Sequence, residues 1–237
     1  MAEPFKGPKL KVGRGKHHFE DLRGALARHK ASRPFKLAVR EDGDLDIYTV
    51  KADPIPGDIP LIVGDAVHNI RTALDLLAGD LVTLNGHSRK KVRFPFCKFE
   101  HDFDAILKRA GFDKAAPDVV NLVKGLAPWK GALRALHELD LADKHEMVLP
   151  ASIVLSGRLF EMLLTLETTE MSLGMSSQGA PEDNTVAEDA LNASFKLIFP
   201  PAHIGQTNPG EVEIAPKLHE FAELVEGIIQ TFEAHCF

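Results

Sequence analysis

The stretch Asp65-Ala-Val-His68-Asn69-Ile-Arg71-Thr-Ala-Leu-Asp75 sits inside a long apolar-periodic segment, and its reading decides the fold. At about 100° per residue, Ile59, Val63, Ala66, Val67, Ile70, Ala73, Leu74, Leu77, Leu81 and Leu84 share one face of a helix that the spacing predicts over 59–85. Asp65, His68, Thr72 and Asp75 line the opposite face, with Arg71 on its flank. Leu61, Leu76 and Val82 fall on or near that polar side, so it is expected to be partly covered. Covered ionisable groups must be paired or shifted in pKa. Such a row either satisfies itself between packed helices, through hydrogen bonds and Arg71/Asp75 pairing, or lines a site.

Working outward, Asp58 reads as the N-cap of this helix, Pro60 fits its first turn and Gly86 stops it. Upstream, Lys36–Val39 and Leu45–Val50 alternate like strands around Glu41–Asp44, which predicts a hairpin. His17–Lys30 reads as a helix on Phe19, Leu22, Ala25 and Leu26, while residues 1–15, rich in Lys, Gly and Pro, read as a basic flexible segment. Downstream the pattern predicts a short strand at Val92–Phe96 and helices at 102–110, 117–125 and 131–145. Strands at 147–155, 159–168 and 194–199 follow, with a mobile acidic loop near 174–190 and a helix at 216–234. The expected architecture is α+β: one domain over 16–237, its helical core built from 59–85, 131–145 and 216–234, with a small antiparallel sheet from hairpins packed beside it.

At 237 residues the chain can bury a full core. No apolar run reaches the roughly 18 residues of a membrane span, and the N-terminus lacks the apolar stretch of a signal peptide. The two cysteines, Cys97 and Cys236, are too few for a disulfide framework or a Cys-rich zinc site, and the reading is cytoplasmic. The net charge of −6 hides an asymmetry: residues 1–40 hold 11 Lys/Arg against 3 Asp/Glu, leaving 17 against 31 for the rest. Lys6, Lys9, Lys11, Arg14 and Lys16 are therefore candidate phosphate contacts for a nucleic acid. The same segment can equally dock on the acidic body of its own protein or stay solvated.

A second polar constellation is His137-Glu-Leu-Asp140-Leu-Ala-Asp143-Lys144-His145, where Asp140 and Asp143 continue the side set by Leu133 and Leu136. The two motif helices are expected to pack together and bring Arg71, Asp75, Asp143 and His145 into one neighbourhood. Asp65/His68 and His137/Asp140 each place a carboxylate and an imidazole at i, i+3, the spacing that lets two helix residues reach one divalent ion. An Asp143/Lys144/His145 network closing the helix end is the alternative. No other cofactor is expected: a Gly-rich phosphate loop, G-x-S-x-G and H-E-x-x-H are all missing from the sequence.

Gly64-Asp-Ala-Val-His-Asn-Ile-Arg-Thr-Ala-Leu-Asp75 and, downstream, Asp143-Lys-His145 resemble the G-[DE]-x-x-H-N-x-R-x-A-L-D and D-K-H motifs of a group of bacterial and phage-associated proteins without an assigned function. The same helix resembles, more remotely, that of the HEPN ribonuclease and nucleotide-binding superfamily, whose active-site helix carries R-x4-6-H in a bundle that usually dimerises. The resemblance makes Arg71 the arginine, and Leu76 stands where the first histidine position falls. Proton transfer would then pass to His68 or His145. The resemblance implies an RNA-directed protein, a ribonuclease or a degenerate RNA-binding relative, with Arg71, His68, His145, Asp75 and Asp143 as its catalytic set and a homodimer as its assembly. A non-enzymatic helical interaction or ligand-binding module is the expectation from a different class, and a metal-dependent hydrolase stands third.

Overall fold

The computed structural model describes residues 3–43, 45–146, 152–156, 161–165, 170–176, 188–189, 192, 196–199 and 212–237. The fold is α+β with a helical core. Helix α1 spans Lys6–Ala31, strands β1 (Phe35–Asp42) and β2 (Leu45–Ala52) form the expected hairpin, and α2 runs from Asp58 to Leu84. Short helices α3 (Phe103–Arg109) and α4 (Pro117–Gly125) lead to α5 (Gly131–Glu146). Strands β3 (Ser152–Ser156), β4 (Glu161–Thr165), β5 (Glu170–Ser176), β6 (Lys196–Phe199) and β7 (Val212–Glu213) precede the terminal helix α6 (Ile214–Cys236). Among the described residues no helix is long and apolar enough to cross a membrane.

Helix α2 is the axis of the molecule. It is buried on nearly every side, as expected of a helix enclosed by others, and it packs against α1, α5 and α6. Its Ile59, Ala66, Val67, Ile70, Leu74 and Leu77 are fully buried. Two antiparallel sheets flank the helices, one ordered β1-β2-β5 and the other β4-β3-β6-β7. The Gly43 turn of the hairpin has φ +64°, a conformation that glycine adopts without strain.

Three expectations need correction. The first helix begins at Lys6, not His17. Pro8, Val12, Gly15, His18, Leu22, Ala25 and His29 recur at helical spacing along its buried face, so the periodicity overrides the Lys-, Gly- and Pro-rich composition of residues 1–15. Pro8 falls in the first turn, where no backbone N–H is needed. Gly15 permits a close approach to α2: a Cβ there would lie 2.7 Å from Ile70 Cγ1. The N-terminus is anchored by buried Phe5, whose N–H donates to Asp80 Oδ2 at 3.1 Å.

Val92–Phe96 is not a strand. Its backbone donors are spent elsewhere, Arg93 N–H on Ala110 O at 3.0 Å and Phe94 N–H on the Asp75 carboxylate at 2.9 Å, which leaves no ladder to form. The third correction concerns the acidic loop expected from residue 174, because residues 170–176 form β5 and pair with β2 in the register Tyr48↔Leu173. Residues 177–187, the greater part of that expected loop, lie outside the described residues.

Candidate functional site

The polar groups of α2 and α5 meet on one carboxylate. Asp140, 1% exposed, places Oδ1 at 2.9 Å from His68 Nδ1 and Oδ2 at 3.5 Å from Arg71 Nε, and it receives Lys144 Nζ on Oδ2 at 2.5 Å. Arg71, itself 7% exposed, also binds Asp75 one turn further along α2. Helical spacing explains both intrahelical contacts, since i and i+4 lie one above the other. A carboxylate this buried requires such company, because an unpaired buried charge is prohibitively costly.

The same groups fasten the irregular segment 93–97 into the space between the helices. Asp75 Oδ1 accepts the Phe94 N–H, Arg71 lies over the Phe96 ring at 5.1 Å, and His137 stacks on that ring at 4.4 Å with the planes 2° apart. Arg134 donates to Cys97 O at 3.2 Å. A segment without secondary structure thereby has its backbone and aromatic groups satisfied by side chains from α2 and α5.

Beside this segment lies a pocket of about 260 Å³, walled by Arg71, Arg93, Arg109 and His137 together with Phe94, Phe96, Ile106 and Ala110. Its charge balance is uneven. Asp75 and Asp140 offset Arg71, and Asp140 also holds Lys144, whereas Arg93 and Arg109 are exposed and have no acidic partner among the described residues. Burial first, and then Arg71 and Arg134, hold the His137 imidazole down at about 4, so it adds no charge at neutral pH. Of the wall residues, His137 Nδ1 is buried without a hydrogen-bond partner among the described residues, whereas Arg71 Nε makes no hydrogen bond but faces the Asp140 carboxylate at 3.5 Å. Orphans of this kind are uncommon in folded proteins and often mark a site that takes a ligand, water or ion.

The expected catalytic set is brought together in part. Arg71, His68 and Asp75 share the α2–α5 seam, but the acid joining Arg71 to His68 is Asp140, which the sequence marked as inward-directed and as one half of a metal pair, not as a member of the catalytic set. Asp143 instead packs against Gly64, where a Cβ would collide with its carboxylate. Burial and the neighbouring Asp140 carboxylate push its pKa up. His145 falls in the last turn of α5, and its side chain lies outside the described residues. Leu76, at the position of the expected histidine, faces α1, its Cδ1 3.5 Å from where a Gly7 Cβ would sit.

The metal pairs do not converge. Asp65 is exposed, His68 is committed to Asp140 and His137 to Phe96. Among the described residues no three His, Cys, Asp or Glu side chains gather around a common point.

Most of the basic N-terminal candidates are engaged within the protein. Lys9 pairs with Glu233 at 2.6 Å and Lys16 with Glu226 at 2.7 Å, Lys11 donates to Asn69 Oδ1 at 3.0 Å, and Lys6 lies 3.3 Å from Glu3. Arg14 is exposed with no partner among the described residues. The sequence had no means of flagging Arg93 and Arg109, because they lie 16 positions apart and tertiary contacts such as the hydrogen bond from Arg93 N–H to Ala110 O close that distance. No protein-family model, curated protein or solved structure matches the chain.

Proposed function

We propose that the protein is an RNA-directed, HEPN-like protein that binds single-stranded RNA at the Arg71–Arg93–Arg109 pocket. The observation that carries this reading is the pair of unneutralised guanidinium groups beside an aromatic, partly unsatisfied wall. Guanidinium groups grip phosphate oxygens through paired, charge-assisted hydrogen bonds. Binding without cleavage is the form we favour. Strand scission at a 2′-hydroxyl needs a group that takes up a proton and one that gives it back. His68, oriented through Nδ1 by Asp140, is one such group, but His137 carries a proton only well below neutral pH and does not serve as the second.

Fluorescence anisotropy with a short labelled single-stranded RNA tests the reading. An Arg93→Ala/Arg109→Ala double variant is expected to bind about tenfold more weakly or worse, since a hydrogen bond to a charged group contributes about 1.5–3 kcal/mol net and about 1.4 kcal/mol is a factor of ten. Both side chains are exposed, so the fold should survive. An unchanged affinity would refute the assignment.

A further inference from the structure

We propose that the pocket receives a terminal phosphomonoester of the RNA strand, and that the exposed Phe99–His101 stack carries a neighbouring base. This rests on the RNA-directed reading and names the part of the RNA recognised. Charge matching is the first argument. With Arg71 offset by Asp75 and Asp140, the pocket offers two free positive charges, Arg93 and Arg109. An internal phosphodiester carries one negative charge, whereas a phosphomonoester carries about −1.5 to −2 at neutral pH and presents three terminal oxygens to surrounding donors. Shape is the second argument. A volume of about 260 Å³ holds a phosphate group with both exposed guanidinium groups at its rim, and a terminal phosphate can settle there with all its free oxygens turned to the donors, whereas an internal phosphate must keep two of its oxygens on the flanking sugars.

The stack supplies the base contact. Phe99 is 50% exposed, unusual for a phenylalanine, and lies parallel to His101 with centroids 5.3 Å apart and planes 8° apart. Lys98 Nζ sits 5.5 Å from the Phe99 centroid. An exposed aromatic face flanked by a cation is the standard platform for an unpaired base. Chain connectivity keeps it close: only Cys97 and Lys98 lie between Phe99 and the pocket-lining Phe96, a reach of at most about 11 Å.

Anisotropy titrations of one RNA sequence carrying a 5′-phosphate, a 3′-phosphate or hydroxyls at both ends decide the matter. One of the phosphorylated forms is expected to bind about tenfold more tightly than the hydroxyl form, and that form identifies the end recognised. Arg93→Ala and Arg109→Ala should each remove most of this preference. Phe99→Ala should weaken all three RNAs by a similar factor and keep the preference. Equal affinity for the three RNAs, with Arg93→Ala/Arg109→Ala still weakening each, would overturn the terminal-phosphate inference and leave the RNA reading intact. Absence of binding to any of them would overturn both.

Discussion

Replacing Asp140 by alanine is expected to destabilise the protein by about 3–5 kcal/mol, the range seen when one member of a buried charge group is removed. The carboxylate is almost wholly enclosed and serves Arg71, His68 and Lys144 together. Without it, Arg71 keeps Asp75 but loses the acid on its Nε side, and α5 loses its main polar tie to α2. The damage should spread to segment 93–97, because the Arg71 guanidinium lies over Phe96. Equilibrium urea denaturation reads the change directly through a lower midpoint. Asp140→Asn should cost less, since an amide retains the shape and part of the hydrogen bonding. A loss under about 1 kcal/mol for the alanine variant would place this carboxylate in solvent, where ion pairs contribute little.

The second large effect is on acid stability and originates at His137. Its folded-state pKa, about 4, lies below the 6.5 of an ordinary imidazole. Between those two values the unfolded chain takes up a proton that the folded protein refuses, so stability falls as pH drops. The contribution is complete above pH 6.5 and lost by about pH 4. Partial exposure of the ring reduces the full linkage value to about 2 kcal/mol. His137→Phe keeps a ring against Phe96 and removes the titration. Denaturation midpoints measured across this window should therefore fall less steeply with acid in the variant than in the wild type, and parallel curves would show that another group governs the acid limb.

How much of this was legible in the sequence varies with the physics of each element. Helices α2, α4, α5 and α6 announce themselves through apolar spacing, and α2 begins and ends within a residue of the predicted 59–85. Helix α1 carries the same spacing from Pro8 onward, yet its glycines mimic a flexible tail. One of those glycines, Gly15, is there because Ile70 leaves no room for a side chain. Segment 93–97 alternates like a strand, and only the structure reveals that its N–H groups are taken by Asp75 and Ala110. The basic N-terminal charge reads as a nucleic-acid arm, but Lys9 and Lys16 align with Glu233 and Glu226 at matching seven-residue intervals on antiparallel helices. Pairing across 210 or more positions is a tertiary fact.

The candidate site divides in the same way. Inward-pointing Asp140 was visible from its continuity with Leu133 and Leu136, and its position across from both His68 and Arg71 depends on how α5 docks on α2. Arg93 and Arg109 belong to segments with no motif of their own. The pocket exists because segment 93–97 folds back between helices.

Photo-cross-linking of a single-stranded RNA to the full-length protein, followed by peptide mapping, tests the central claim most directly. The expected cross-links fall on the stretch from Arg93 to Arg109, with the exposed Phe99 as an attachment point, and they disappear in the Arg93→Ala/Arg109→Ala variant. Cross-links confined to α1, around Lys9, Arg14 and Lys16, would contradict the claim and return RNA binding to the basic N-terminal helix.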